Sequence, residues 1–132
     1  MSIEIHDNSK EVSEAIKSAL LKGLETCGLV AEGYAKKLAP VDTGNLRNSI
    51  THRVNEGEPA AYIGSDTEYA AYVELGTGKY YPGGRPTPWV YQDAKGSWHW
   101  TAGNKAQPYL KPAAADHASE YRQIVEDELK NV

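Results

Sequence analysis

The sequence predicts a single α+β domain of helices and short antiparallel hairpins, on three observations. Apolar residues recur at steps of three and four over residues 8–38, two short β-rich segments flank a turn at residues 55–59, and a second helical stripe runs on from Pro112. A length of 132 residues suits one hydrophobic core, so the domain takes in residues 1–132.

The first helix rests on Val12, Ile16, Leu20, Leu24, Cys27, Ala31, Tyr34 and Leu38. Asp7, Asn8 or Ser9 can cap its start, and Pro40 ends it by disfavouring helical geometry at Ala39. About thirty residues at 1.5 Å each make a rod near 45 Å long. Gly23 and Gly28 weaken its middle. So long a stripe exceeds what a small domain covers, which points to another surface, such as a second subunit, against part of it.

Beyond Pro40, Val41-Asp42-Thr43-Gly44-Asn45 reads as a turn, with Gly44 free to take positive φ. Strands are expected at residues 50–54 and 60–64, joined as a hairpin. In residues 69–75, Tyr69, Tyr72 and Val73 have helical spacing and Gly76 supplies a stop, which predicts two helical turns. Residues 77–107 hold five of the twelve glycines and read as a protruding arm. Inside it Trp89-Val90-Tyr91 and Trp98-His99-Trp100 form a small hairpin closed by Asp93-Ala94-Lys95-Gly96, with Trp89 and Tyr91 on one face. A lone two-stranded ribbon is marginal in water, so the arm is expected to be mobile in isolation and ordered against a partner. The last helix carries Ala114, Ala118, Tyr121, Val125 and Leu129.

Forty per cent apolar and 24% charged residues is an ordinary globular balance, and no apolar run nears the ~18 residues of a membrane span. A polar start without the features of a secretory signal predicts residence in a cytosol. Cys27 cannot form an internal disulfide and reads as a buried small hydrophobe. The net charge of −4 argues against a general nucleic-acid binder, but it is unevenly spread. Lys79, Arg85, Lys95, Lys105 and Lys111 against Asp93 make residues 79–111 basic between acidic flanks.

Three chemical motifs are weighed and set aside. Asp42-Thr43-Gly44 matches the catalytic triplet of an aspartic protease, which would act here as a homodimer. That triplet belongs after a hydrophobic strand in a mostly β protein, whereas this one follows a long helix and reads as a structural turn. Gly78-Lys79 lacks both the distal glycine and the following Ser or Thr of a phosphate-binding loop. His6, His52, His99 and His117 show no metal-ligand spacing and read as scattered surface histidines. The aromatic residues are more informative: three Trp and nine Tyr with no Phe combine apolar area with polar handles. Tyr34, Tyr62, Tyr72 and Tyr121 are assigned to the core; Tyr80, Tyr81, Trp89, Trp98 and Trp100 are assigned to an interface, joined by Arg85 and Tyr109.

Three segments then stand in order: Ala39-Pro40-Val41-Asp42-Thr43-Gly44-Asn45-Leu46-Arg47-Asn48-Ser49-Ile50; Tyr69-Ala70-Ala71-Tyr72-Val73-Glu74-Leu75-Gly76-Thr77; and Ala106-Gln107-Pro108-Tyr109-Leu110-Lys111-Pro112-Ala113. Together they resemble the gene-product-ten-like family of tailed-phage head-tail joining and tail-completion proteins. Asp42, Thr43, Gly44, Leu46, Glu74, Gly76, Thr77, Pro108 and Pro112 are the structural motif positions, and Tyr109 stands where the family commonly has phenylalanine. The resemblance implies a long N-terminal helix packed on a small antiparallel sheet, with an aromatic glycine-rich arm and a C-terminal helix. It also implies a ring of identical copies in the virion at the head-tail junction or the head-proximal end of the tail, assembled in the host cytoplasm, and no catalysis, metal or cofactor. The partners it implies are further copies of the chain and phage neck, tail-tube or tail-terminator proteins. No membrane and no specific nucleic acid is implied, although DNA would pass through the ring. Two rivals differ in what they predict: the protease requires a mostly β protein, and a DNA-binding module using the basic arm requires steep salt dependence.

Overall fold

The computed structural model describes residues 2–41 and 44–132. Helix α1 spans Ser9–Leu38, and Ala39 leaves it with extended geometry ahead of Pro40. At its start the Asp7 carboxylate accepts the Ser9 amide at 2.9 Å, and the Ser9 side chain first, then that amide, holds the Asp7 carboxyl below its usual range. A five-residue helix α2, Asn45–Ser49, comes next, where the sequence reading passes straight to a strand. Gly44 precedes it at φ 83°, the left-handed region that penalises a branched side chain. Asp42 and Thr43 of the same motif lie outside the described residues.

Strands β1, Thr51–Asn55, and β2, Ala60–Gly64, form an antiparallel pair with His52 opposite Ile63 and Arg53 opposite Tyr62. Helix α3, Ala70–Leu75, ends at Gly76. A 3-10 turn at Gly78–Tyr80 opens the arm, whose strands β3, Trp89–Gln92, and β4, Trp98–Thr101, pair antiparallel with Tyr91 opposite His99. The final helical stripe is broken into α4, Leu110–Ala115, and α5, Ala118–Leu129. Pro112 lies in the first turn of α4, where its missing amide has no helical acceptor to lose.

The architecture is therefore α+β, with two separate two-stranded sheets among the described residues. Ala35, Ala39, Leu46, Ile50, Ala70, Tyr109 and Ala113 make the core, flanked by Tyr34, Ile63, Val73 and Leu110. The three sequence segments that carry the family resemblance each supply part of it. Alternation along β2 turns Ile63 inward and Tyr62 outward. On α3, Ala70 and Val73 take the inner face, which leaves Tyr72 outside. Tyr62 and Tyr72 are thus 55% and 61% exposed, which corrects their assignment to the core; Tyr34 and Tyr121 are half-buried. Cys27 is buried, and its thiol lies 3.4 Å from the Tyr121 carbonyl; burial pushes the thiol above its usual range.

Gly23 and Gly28 are packing positions. A Cβ on Gly23 would lie 3.2 Å from the Val125 backbone, and one on Gly28 would lie 2.8 Å from His52 Cδ2. Helix α1 thereby lets α5 and β1 approach closely, a benefit set against the helix propensity lost. Glu25 and Glu32, two turns apart on α1, flank the imidazole of His52. Nε2 lies 2.5 Å from Glu25 Oε1 and Nδ1 lies 3.2 Å from Glu32 Oε1. The Glu25 bond raises the His52 pKa, burial opposes it, and the Glu32 bond adds to the rise. At Glu32 burial pushes the carboxyl up, but the His52 and Lys36 contacts outweigh it and hold it below its usual range.

A raised folded-state pKa at His52 means stability fully present below the unfolded value of 6.5 and lost as pH rises through the higher folded value. Thermal midpoints should therefore fall as pH is raised above 6.5, and His52→Gln should flatten that slope. An unchanged slope in His52→Gln would show that another group carries it.

Candidate assembly surface

The two legs of the arm are tied to each other at its base. Thr77 and Asn104 exchange two bonds, from the Thr77 amide to the Asn104 carbonyl and from the Asn104 amide to the Thr77 hydroxyl, each 2.9 Å. The Lys79 amide also reaches the Ala102 carbonyl at 3.2 Å. These two backbones pass so close that a Cβ on Gly78 or Gly103 would overlap the opposing carbonyl oxygen. Both glycines also have positive φ, 61° and 110°, so two independent constraints require glycine there.

Beyond the base, the ribbon has two unlike faces. Register places Trp89, Tyr91, His99 and Thr101 on one of them. That face is internally furnished: Tyr91 stacks on His99 at 5.3 Å, Arg85 lies 5.6 Å over Trp89, and His99 bonds Asp93 at 2.6 Å. Asp93 also accepts the Lys95 and Ser97 amides, which closes the turn; the His99 bond first, and then the Ser97 and Lys95 amides, hold its carboxyl below the usual range. The other face carries Val90 opposite Trp100, and Gln92 opposite Trp98. Trp98 and Trp100 are 68% and 70% exposed, and among the described residues no side-chain bond or ring contact engages them.

An apolar groove opens elsewhere on the body. Its walls include Leu24 and Ala31 of α1, Ile63 of β2, Ala114 of α4, and Tyr121 and Val125 of α5. Its volume is about 780 Å³, within the roughly 300–1,000 Å³ range of sites that engulf a drug-sized group. The α5 wall is set by His117, which stacks on Tyr34 at 3.6 Å, and by the Tyr121 hydroxyl, which donates to the Ala113 carbonyl at 2.5 Å.

The interface residues expected from the sequence fall into two groups. Tyr80, Tyr81, Arg85, Trp98 and Trp100 lie at the surface and Trp89 is half-buried. Tyr109 is fully buried, and its hydroxyl donates to the Ala70 carbonyl at 3.2 Å; its ring serves the protomer's interior and offers nothing to a partner. Glu74 has a role that its motif position did not specify. Its carboxylate accepts the amides of Tyr109, Leu110 and Lys111 at 2.7, 2.9 and 2.9 Å, capping α4 from α3. With the Gln107 amide on the Val73 carbonyl at 2.8 Å, this clamp joins the second and third sequence segments just below the arm. Gly76 and Thr77 sit at the arm's root, exposed Pro108 leads into α4, and Leu46 belongs to the core.

Few contacts between the ribbon and the body lie beyond the base, so in the isolated chain amides of residues 89–101 should exchange with solvent faster than those of α1 or β1. Protection of residues 89–101 equal to that of α1 in a demonstrated monomer would contradict this.

Residues 3–76 match the family model described as "Bacteriophage HK97-gp10, putative tail-component". The first two sequence segments lie almost wholly within the match, and the arm and the third segment lie beyond it. No curated protein and no solved structure matches the chain. The aspartic protease reading fails on its structural requirement: the helix α1 leads into the turn, and the described strands are four short segments in two hairpins.

Proposed function

The chain belongs to the HK97-gp10-like family of bacteriophage tail components, and on that premise we propose that it is a non-catalytic virion protein that forms a ring of identical copies at the head-tail junction or the head-proximal end of the tail. The family match over residues 3–76 carries this reading. The exposed indoles of the arm support it, because large aromatic groups left bare on a small protein mark a surface made to be covered. In the ring the chain binds its own copies on two sides, a neck protein on the head face, and a tail-tube or tail-terminator protein on the other. DNA passes through the lumen and is not read. Its work is shape and affinity: the clamp of Glu74 fixes α4 below the arm, and the arm carries the adhesive side chains.

The test is a phage in which this gene is silenced. DNA-filled heads and separate tails that fail to join are the expected products. Normally joined, infectious particles lacking the protein would overturn the proposal.

A further inference from the structure

Resting on the ring reading, we infer that the bare face of the arm, formed by Val90, Trp98 and Trp100, seats in the apolar groove between α1, β2, α4 and α5 of the neighbouring copy. The two surfaces are complementary in three respects. Both are apolar, and each lies open in the protomer: the ribbon leaves its own groove empty while its second face is already engaged by Arg85, His99 and Asp93. The groove has room for aromatic anchors of this kind, and a bulky ring in an apolar pocket with a charged rim is the usual anatomy of an interface hot spot.

Charge is the third respect. Residues 77–107 carry four basic side chains, Lys79, Arg85, Lys95 and Lys105, against Asp93. Helix α5, which forms one wall of the groove, carries four acidic ones, Glu120, Glu126, Asp127 and Glu128, against Arg122; on the groove lining itself Glu74 and Glu126 stand with Lys111 and Arg122, so the acidic excess lies along α5 beside the groove. Two arms would repel each other, and so would two α5 helices, whereas arm and α5 attract. An isologous pairing of like surfaces is thereby disfavoured. Because one protomer has one arm and one groove at different places, the contact is head-to-tail, the kind that closes into a ring when the rotation between copies permits.

The experiment uses the full chain with photoreactive benzoylphenylalanine in place of Trp100, mixed as isotope-labelled and unlabelled copies. Cross-links between copies to Leu24, Ala114 or Val125 are expected. Two variants read the same contact from its two sides: Trp98→Ala combined with Trp100→Ala removes the anchors, and Ala114→Trp fills the groove from an exposed position. Each should weaken self-association by about thirty-fold or more with the circular dichroism unchanged. Rings that persist through both variants, or cross-links between copies to another surface, would overturn the arm-in-groove contact and leave the ring itself standing. A wild-type chain that stays monomeric in solution and in assembled particles would overturn the ring and this contact with it.

Discussion

Replacing Tyr109 with alanine is expected to remove a large share of the protein's stability. Tyr109 is fully buried at the meeting point of α1, α2, α3 and α4, where truncation of a large aromatic typically costs about 3–5 kcal/mol through lost transfer energy and the cavity left behind. Domains of this size have only about 5–15 kcal/mol in hand, and the loss should lower the thermal midpoint by on the order of 10–20 °C. Tyr109→Phe retains the ring and gives up one bond, to the Ala70 carbonyl, so its cost should stay near about 1 kcal/mol. Thermal melts of the two variants test this. Equal, small losses would mean that the site collapses around the missing ring.

The second large effect is expected at Glu74. Alanine there strips the acceptor from three consecutive amides at the start of α4, and charge-assisted bonds with a helix cap combine to about 2–4 kcal/mol. Glutamine keeps an amide oxygen, which can still take the two bonds now made to one carboxylate oxygen, and should lose roughly half as much. Amide exchange at Tyr109, Leu110 and Lys111 should accelerate in Glu74→Ala before the rest of the chain does, since these amides then open with the end of α4. Unchanged exchange there would show that the cap carries little of the local stability.

Elements with their own periodicity could be read from the sequence. Helix α1 announces itself by a stripe of eight apolar positions and a proline stop, the first hairpin by β-rich segments on either side of a turn, and the second by aromatic residues at alternate positions. Helix α2 could not be read, because five residues are too few to show a period. The break between α4 and α5 escaped for the opposite reason: the stripe continues through it, and neither glycine nor proline marks Asp116 or His117.

Roles that depend on distant residues were hidden in a different way. Glu74 was recognisable as a motif position, but its three amide partners lie 35 to 37 residues away. Glu25 and Glu32 share a helix face by their spacing, yet only the docking of β1 brings His52 between them. The arm was legible as an aromatic, glycine-rich excursion, whereas the groove was not, since it is built from four elements that meet only in the fold.

The position of the subunit in the virion is the central question, and electron microscopy of the purified phage, with this chain traced in the density, addresses it most directly. A closed ring of identical copies is expected at the head-tail junction or on the head-proximal end of the tail, its members touching through two different faces. Copies found instead at the distal tip, spread along the tube, or absent from the finished particle would contradict it.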